Sequence, residues 1–187
     1  MKQPTERVRV YGEMYTSRAF LESQRELLES PPEPGCRAPR AIIALMFWSD
    51  ETQLTSFGQA KLWPLYMYLG NNSKYQRVKP TSNLCSHVAY FQQVRPMSFP
   101  RDILLTQRVK LPDSFIDFAS AFTGRKGPTE ELIAHCKREA FHAQWEVLLD
   151  DEFTAAWKHG ILTQGGDGIT RRVYPRIFTY SADYPEK

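Results

Sequence analysis

The sequence predicts a mixed α/β fold: an antiparallel meander of three strands, a long crossover helix, and a fourth strand brought back parallel to the first. Three observations carry that prediction. An unbroken apolar run, Ala41 to Trp48 ("AIIALMFW"), has strand length and reads as a central strand buried on both faces. Two more strand-like runs, Leu62 to Gly70 ("LWPLYMYLG") and His87 to Val94 ("HVAYFQQV"), follow it with turn-forming residues between them. A helical periodicity from Thr129 to His159 then precedes a last apolar run, and a helical crossover is the ordinary way to return a strand parallel to its neighbour.

Taken in order, residues 1–40 are polar and read as an N-terminal arm or cap, with one helix around Ser17 to Leu28 that ends before the breaker "SPPEPG". The first strand ends at "SDETQL", which sets Asp50 at its C-terminal end. Pro64 marks the second run as starting near a strand beginning or an edge, and Asn71 and Asn72 stop it. The region from Arg95 to Pro128 holds four prolines and reads as connection, with one short helix around Ser114 to Phe122. In the long helix Ile133, Cys136, Ala140, Phe141, Trp145, Leu148, Leu149, Phe153, Ala156 and Trp157 fall at spacings of three and four, which mark one face. The acidic trio Asp150, Asp151 and Glu152 then sits mid-helix as a solvated face, and Gly160 supplies the C-terminal cap. After the turn "GGDG" the last strand is expected from about Arg176 to Ala182, followed at once by Asp183.

Composition bounds the rest. At 187 residues, 42% hydrophobic and 13% aromatic, the chain can bury one substantial core. A net charge of +3 permits a nucleic-acid partner without demanding one. The three cysteines, Cys36, Cys85 and Cys136, are odd in number and far apart, and no apolar leader precedes them, so reduced thiols in an intracellular protein are expected. No apolar run approaches the roughly 20 residues of a membrane span.

Three strands, a crossover helix and a fourth strand beside the first is the order with which the ribonuclease H-like fold begins. In that arrangement Asp50 and Asp183 leave the C-terminal edge of neighbouring strands about 4.8 Å apart, the edge where open α/β sheets bind ligands. Two carboxylates so close repel, and a hard dication with oxygen ligands, Mg²⁺ or Mn²⁺, relieves the repulsion. Two such ions about 3.5–4 Å apart suit phosphodiester chemistry, which also calls for a third acid. Asp167 in "GGDG" is a reserve candidate whose simpler role is a hairpin turn.

Lys74, Arg77 and Lys79 after the second strand, and Arg171, Arg172 and Arg176 before the last, are candidates for DNA phosphate contacts near the acids. Trp63, Tyr66 and Tyr68 alternate with apolar neighbours as sheet-face packing does. His135, Cys136 and His142 match no standard zinc spacing and read as packing and surface residues. No phosphate-binding glycine loop and no serine or cysteine nucleophile signature is present.

Five strings together resemble the Plavaka-like transposases, in the Kyakuja-Dileera-Zisupton group of DDE enzymes. They are "VYGEMYTSRAF" (Val10 to Phe20), "MFWSDETQLTSFG" (Met46 to Gly58), "LWPLYMYLGNNSKY" (Leu62 to Tyr75), "HCKREAFHAQWEVLLDDEF" (His135 to Phe153) and "HGILTQGGDGITRRVYPRIFTYSADYPEK" (His159 to Lys187). The resemblance implies a ribonuclease H-like catalytic domain over residues 41–187, with Asp50 as first acid, Asp183 as second, Mg²⁺ or Mn²⁺ as cofactor, DNA as partner and the nucleus as location. It implies a cysteine-rich segment and a catalytic glutamate beyond Lys187; Glu186, beside the second acid, cannot replace a distant helix residue. The expectation is therefore a truncated core: a transposase remnant or fragment, silent as a catalyst, whose fourth strand exposes an outer edge that a partner chain would cover. The alternative is a non-catalytic nucleic-acid-binding or protein-interaction module in which the acids are idle.

Overall fold

The computed structural model describes residues 12–53, 61–95, 108–110, 113–124 and 129–182. A 3-10 turn at Met14–Thr16 leads into α1 (Arg18–Glu29), then β1 (Arg40–Ser49), β2 (Thr52–Gln53), β3 (Lys61–Leu62), β4 (Pro64–Leu69) and α2 (Lys74–Arg77). A second 3-10 turn at Pro80–Ser82 precedes β5 (Ser86–Tyr90), β6 (Gln93–Arg95) and β7 (Arg108–Lys110). Three helices follow, α3 (Asp113–Thr123), α4 (Glu130–Leu148) and α5 (Asp151–His159), and the hairpin strands β8 (Ile161–Gln164) and β9 (Thr170–Ser181) come last.

The main sheet is five-stranded and mixed, in the order β5-β4-β1-β9-β8. The three expected meander strands lie side by side in chain order, and β9 runs parallel to β1 as the crossover requires. Two small sheets complete the described strands: β2 with β3, antiparallel, and β6 with β7, parallel.

Five sequence expectations are corrected. The run from His87 to Val94 is split, Ser86–Tyr90 joining the main sheet and Gln93–Arg95 a separate one. The run from Leu62 to Gly70 is two strands, because Trp63 lies outside the pairing and Lys61–Leu62 turns back onto Thr52–Gln53. The last strand begins at Thr170, and Ile161–Gln164 pairs antiparallel with its first part. Of the outer edge of β9, β8 covers the part along Thr170–Val173. The long helix from Thr129 to His159 is two helices. Leu149 leaves helical geometry (φ −97°, ψ 51°), and Asp150 accepts from the Phe153 backbone N–H at 2.8 Å to cap the next helix. Asp150, Asp151 and Glu152 are thus an N-terminus rather than a mid-helix face. Carboxylates there satisfy free N–H groups and oppose the positive end of the helix dipole.

Among the described residues, 12–48, 67–86 and 154–181 form one compact unit. Its core is Phe20 and Leu27 on α1, Ile42 and Ala44 on β1, and Tyr174 on β9, with Met14 and Phe178 packed against it. Ser17 starts α1 by accepting from the Phe20 N–H (3.2 Å), and Phe20 and Leu27, two turns apart, form its buried face. Burying such side chains contributes roughly 1.5–3 kcal/mol each.

In β1, Ile42 and Ala44 lie under α1 on one face, while Leu45, Phe47 and Ser49, of opposite parity, are buried on the other. Trp48, back on the first face, is 42% exposed. The apolar run is continuous because the two halves of the strand bury opposite faces.

The start of β1 lacks a strand neighbour on the β4 side, and two side-chain amides replace one. Gln24 takes the Ile42 N–H (2.9 Å) and donates to the Arg40 carbonyl (3.2 Å); Asn71 takes the Ala44 N–H (2.8 Å) and donates to the Ile42 carbonyl (2.9 Å). Strand pairing then begins with the Gly70 N–H on the Ala44 carbonyl (2.7 Å). These bonds close an edge that would otherwise offer unpaired backbone groups.

The second unit, residues 49–53, 61–66, 87–95, 108–110, 113–124, 129–153 and 182, is built on aromatics. Trp63 stacks on Phe141 of α4 (5.3 Å between centroids, 8° between planes) and meets Phe91 edge-on at 5.2 Å. Trp145 adds a tilted contact to Phe91 at 5.5 Å. The Gln144 amide accepts from the Gln92 N–H (2.6 Å) and donates to the Gln92 carbonyl (3.0 Å), fastening α4 to the chain between β5 and β6. The packing role expected for Trp63 is what the structure displays.

Candidate functional site at the end of the first strand

Asp50 follows the last residue of β1, and the chain then turns into the β2–β3 hairpin, so the acid is held between two paired segments. Ser49 beside it is 1% exposed and Asp50 itself is half-buried. Among the described residues the Asp50 carboxylate has no hydrogen-bonding or ion-pairing partner. Glu51, also half-buried, has one carboxylate oxygen shielded from solvent.

Beside β1 lies β9, in register from Arg40 opposite Arg172 to Trp48 opposite Ser181. The register is not uniform. Up to Leu45 opposite Ile177 the partners are 132 positions apart; from Met46 opposite Thr179 they are 133 apart, because Phe178 bulges out of the ladder. The Phe178 ring packs on Phe20 of α1 with centroids 5.6 Å apart. The last described pair, Trp48 and Ser181, lies two residues before Asp50 on one strand and two before Asp183 on the other. Asp183 and Glu186 lie outside the described residues.

The arginines of β9 are tied into the fold. Arg172 sits opposite Arg40, at the start of β1 and ten residues ahead of Asp50. Its Nη1 donates to the carbonyls of His159 (2.7 Å) and Gly160 (3.3 Å), and its Nε to the Cys36 sulfur (3.3 Å). That bond lowers the Cys36 thiol pKa and raises that of the guanidinium. Arg176 lies over the Trp157 ring at 4.3 Å and donates to the carbonyls of Trp157 and Pro175, both at 2.8 Å; burial lowers its pKa. Together the two arginines close the C-terminal end of α5, where cations oppose the helix dipole and satisfy free carbonyls. Gly160, at φ +65°, makes the turn that follows, and a Cβ there would fall 2.9 Å from both the Arg172 and the Tyr174 side chains.

Arg171 grips Asp167 through both carboxylate oxygens (2.9 and 2.6 Å), and Asp167 also accepts from the Ile169 N–H at 3.1 Å. The guanidinium holds the Asp167 carboxyl down at about 2. The reserve acid is thus the hairpin residue of its simpler reading.

On the other side of β1, Arg77 pairs with Glu13 at 3.7 Å and donates to the Asn72 carbonyl, while Lys74 and Lys79 are exposed. Of the six basic candidates, none has a hydrogen bond or ion pair with Asp50 among the described residues.

A family model described as Plavaka transposase matches residues 1–100, more than half of the chain. This chain belongs to the Plavaka transposase family. The Plavaka match takes in α1, β1, Asp50, β4 and α2 and stops short of β9, so it covers Asp50 and not Asp183. No curated protein and no solved structure matches the chain.

Within this Plavaka chain no described helix is long and apolar enough to cross a membrane. Among the described residues no group of three or more His, Cys, Asp or Glu side chains is arranged to hold a metal ion. His142, on α4, is exposed and 3.9 Å from Glu139, and Cys36, Cys85 and Cys136 are free thiols. Sequence reading overlooked the Cys36–Arg172 pair and the Gln24 and Asn71 edge caps, for which linear spacing carries no signal. It also overlooked the helix break at Asp150, which "LLDDEF" does signal as an acid-rich helix start.

Proposed function

We propose that this chain carries the first two metal-binding acids, Asp50 and Asp183, of a ribonuclease H-like DDE core whose ancestral reaction is metal-dependent cleavage and strand transfer of DNA phosphodiesters. The observation that supports the reading most is the shifted register of β1 and β9. Continued for two residues past Trp48 and Ser181, it would set Asp50 opposite Asp183. Without the bulge at Phe178 the same extrapolation would put Asp50 opposite Ala182 and the acid one residue out of line.

The donor set fits a hard dication. Both groups are carboxylates, and Asp50 has no internal cation or donor competing for it among the described residues. Mg²⁺ or Mn²⁺, when bound, would activate an attacking water or hydroxyl and stabilise the leaving oxygen of a phosphodiester. The chain's own part is to supply two oxygen donors from neighbouring parallel strands. No third acid is assigned among these residues, so the 187-residue chain is proposed to bind metal without cleaving DNA. DNA as partner and the nucleus as location follow from family membership as part of the same proposal.

Mn²⁺ titration followed by electron paramagnetic resonance tests the pair. Wild-type chain is expected to bind Mn²⁺, and Asp50→Asn and Asp183→Asn each to abolish that binding, with no further loss in the double variant. Mn²⁺ binding that survives either single substitution would overturn the pairing. Metal-dependent nicking of DNA by the wild-type chain would overturn the proposed silence.

A further inference from the structure

From Thr52 to Arg101 the sequence contains no Asp or Glu and six Lys or Arg: Lys61, Lys74, Arg77, Lys79, Arg95 and Arg101. Six exceeds the net charge of +3 for the whole chain, so the rest of the chain is net acidic. Three of these cations fall within six residues, on α2 and the turn after it. There Lys74, Gln76 and Lys79 are exposed, Tyr75 is 72% exposed and Val78 is 78% exposed. The Lys74 Nζ stands 5.4 Å from the centre of the Tyr75 ring, which brings a cation and an open aromatic face together.

The segment is well braced. Asn71, just before it, is bonded to both Ile42 and Ala44 of β1. Glu13 accepts from the Lys74 backbone N–H through both oxygens (3.0 and 2.9 Å) and pairs with Arg77, so its carboxylate is engaged from inside. Ser73 caps the helix by accepting from the Gln76 N–H at 3.3 Å. Arg77 is thereby a bracing residue, and the side chains left facing solvent are two lysines, a glutamine, a tyrosine and a valine.

We propose that this face of α2 is a contact for single-stranded DNA, with Lys74 and Lys79 on backbone phosphates and Tyr75 stacked on an unpaired base. Charge complementarity argues for a polyanion, since the surface is cationic and the Glu13 carboxylate is already engaged. The open tyrosine argues for single strands: paired bases hide their faces in the duplex stack, and an exposed ring gains contact only on a base free of it. The choice of DNA rests on the transposase reading above. The contact is anchored at Ile42 and Ala44, toward the start of β1, and needs neither metal nor Asp50.

Fluorescence anisotropy with a labelled oligothymidylate, on the full chain in EDTA, tests this contact. Tyr75→Ala is expected to weaken binding about tenfold and Tyr75→Phe to retain it. The double variant Lys74→Gln, Lys79→Gln is expected to lower the salt dependence of log K by about 1.4, at roughly 0.7 per phosphate contact on a single strand. Asp50→Asn is expected to leave the affinity unchanged. Because EDTA removes any metal, failure here would leave the acid pair untouched, and loss of the acid pair would leave this contact untouched. Absence of binding, indifference to the Tyr75 and lysine substitutions, tighter binding of duplex, or equal binding of oligouridylate would each overturn the proposal.

Discussion

The two ends of β1 are built on opposite principles. At its start the polar groups that could attract a partner are largely answered from within. Gln24 and Asn71 close the backbone edge, Arg40 donates to the carbonyls of Leu28 and Ser30, and Arg172 is held by Cys36 and the end of α5. At its finish Asp50 stands half-buried with no partner among the described residues. A cluster of arginines near a sheet invites a phosphate-binding reading, yet here arginine does structural work, and the Asp50 carboxylate is left unengaged among the described residues. The difference is one of saturation: a guanidinium already bonded to helix carbonyls has few donors left for a ligand, whereas a carboxylate without an internal cation has all its oxygens to offer.

Four measurements test the contrast. The largest effect is expected at the closed end, where Ile42, 1% exposed, is the centre of the core under α1. Ile42→Ala should cost about 2–5 kcal/mol, read as a fall in the urea midpoint; a loss below about 1 kcal/mol would mean that the core is not closed there. Next comes Asn71→Ala, which strands the Ala44 N–H and the Ile42 carbonyl. It should cost about 1–3 kcal/mol, and faster hydrogen exchange at Ala44 should accompany it.

A smaller effect is expected with pH at the Asp167–Arg171 pair of the hairpin. Its folded-state pKa lies below the ordinary carboxylate value, so its stabilisation is present above about pH 4 and fades as pH falls toward about 2. Carboxyl titration by NMR should place the Asp167 midpoint near 2, and Arg171→Ala should return it to the ordinary range. An unchanged midpoint in that variant would remove the guanidinium as the cause. The smallest effect on stability belongs to Asp50→Asn. With no bond to lose among the described residues, it should move the urea midpoint by no more than the equivalent of about 0.5 kcal/mol while removing Mn²⁺ binding. A large destabilisation would reveal Asp50 as a structural residue and erase the contrast between the ends.

Elements with a strong local signature were legible in the chain. Ser17 before a two-turn apolar spacing marked α1, Asn71 and Asn72 marked the end of β4, and Gly160 marked the end of α5, each through backbone chemistry that depends on near neighbours. The short exposed strand β8 was not, since "ILTQ" gains its strand character only from pairing with Thr170 to Val173. The fates of Arg172 and Arg176 were equally hidden. A row of cations looks the same in sequence whether it faces phosphate or helix carbonyls, and only the packing of α5 against β9 decides which.

The α/β class, the order of the first three main-sheet strands, the return of a parallel strand and the position of Asp50 at the end of β1 are written locally, because hydrophobic runs, caps and turn residues act over a few neighbours. Tertiary structure alone decided that Phe178 would leave the ladder to pack on Phe20, shifting β9 by one residue against β1. A register is set by how side chains from distant segments fill a shared core, and no local pattern within "RIFTYS" carries that information.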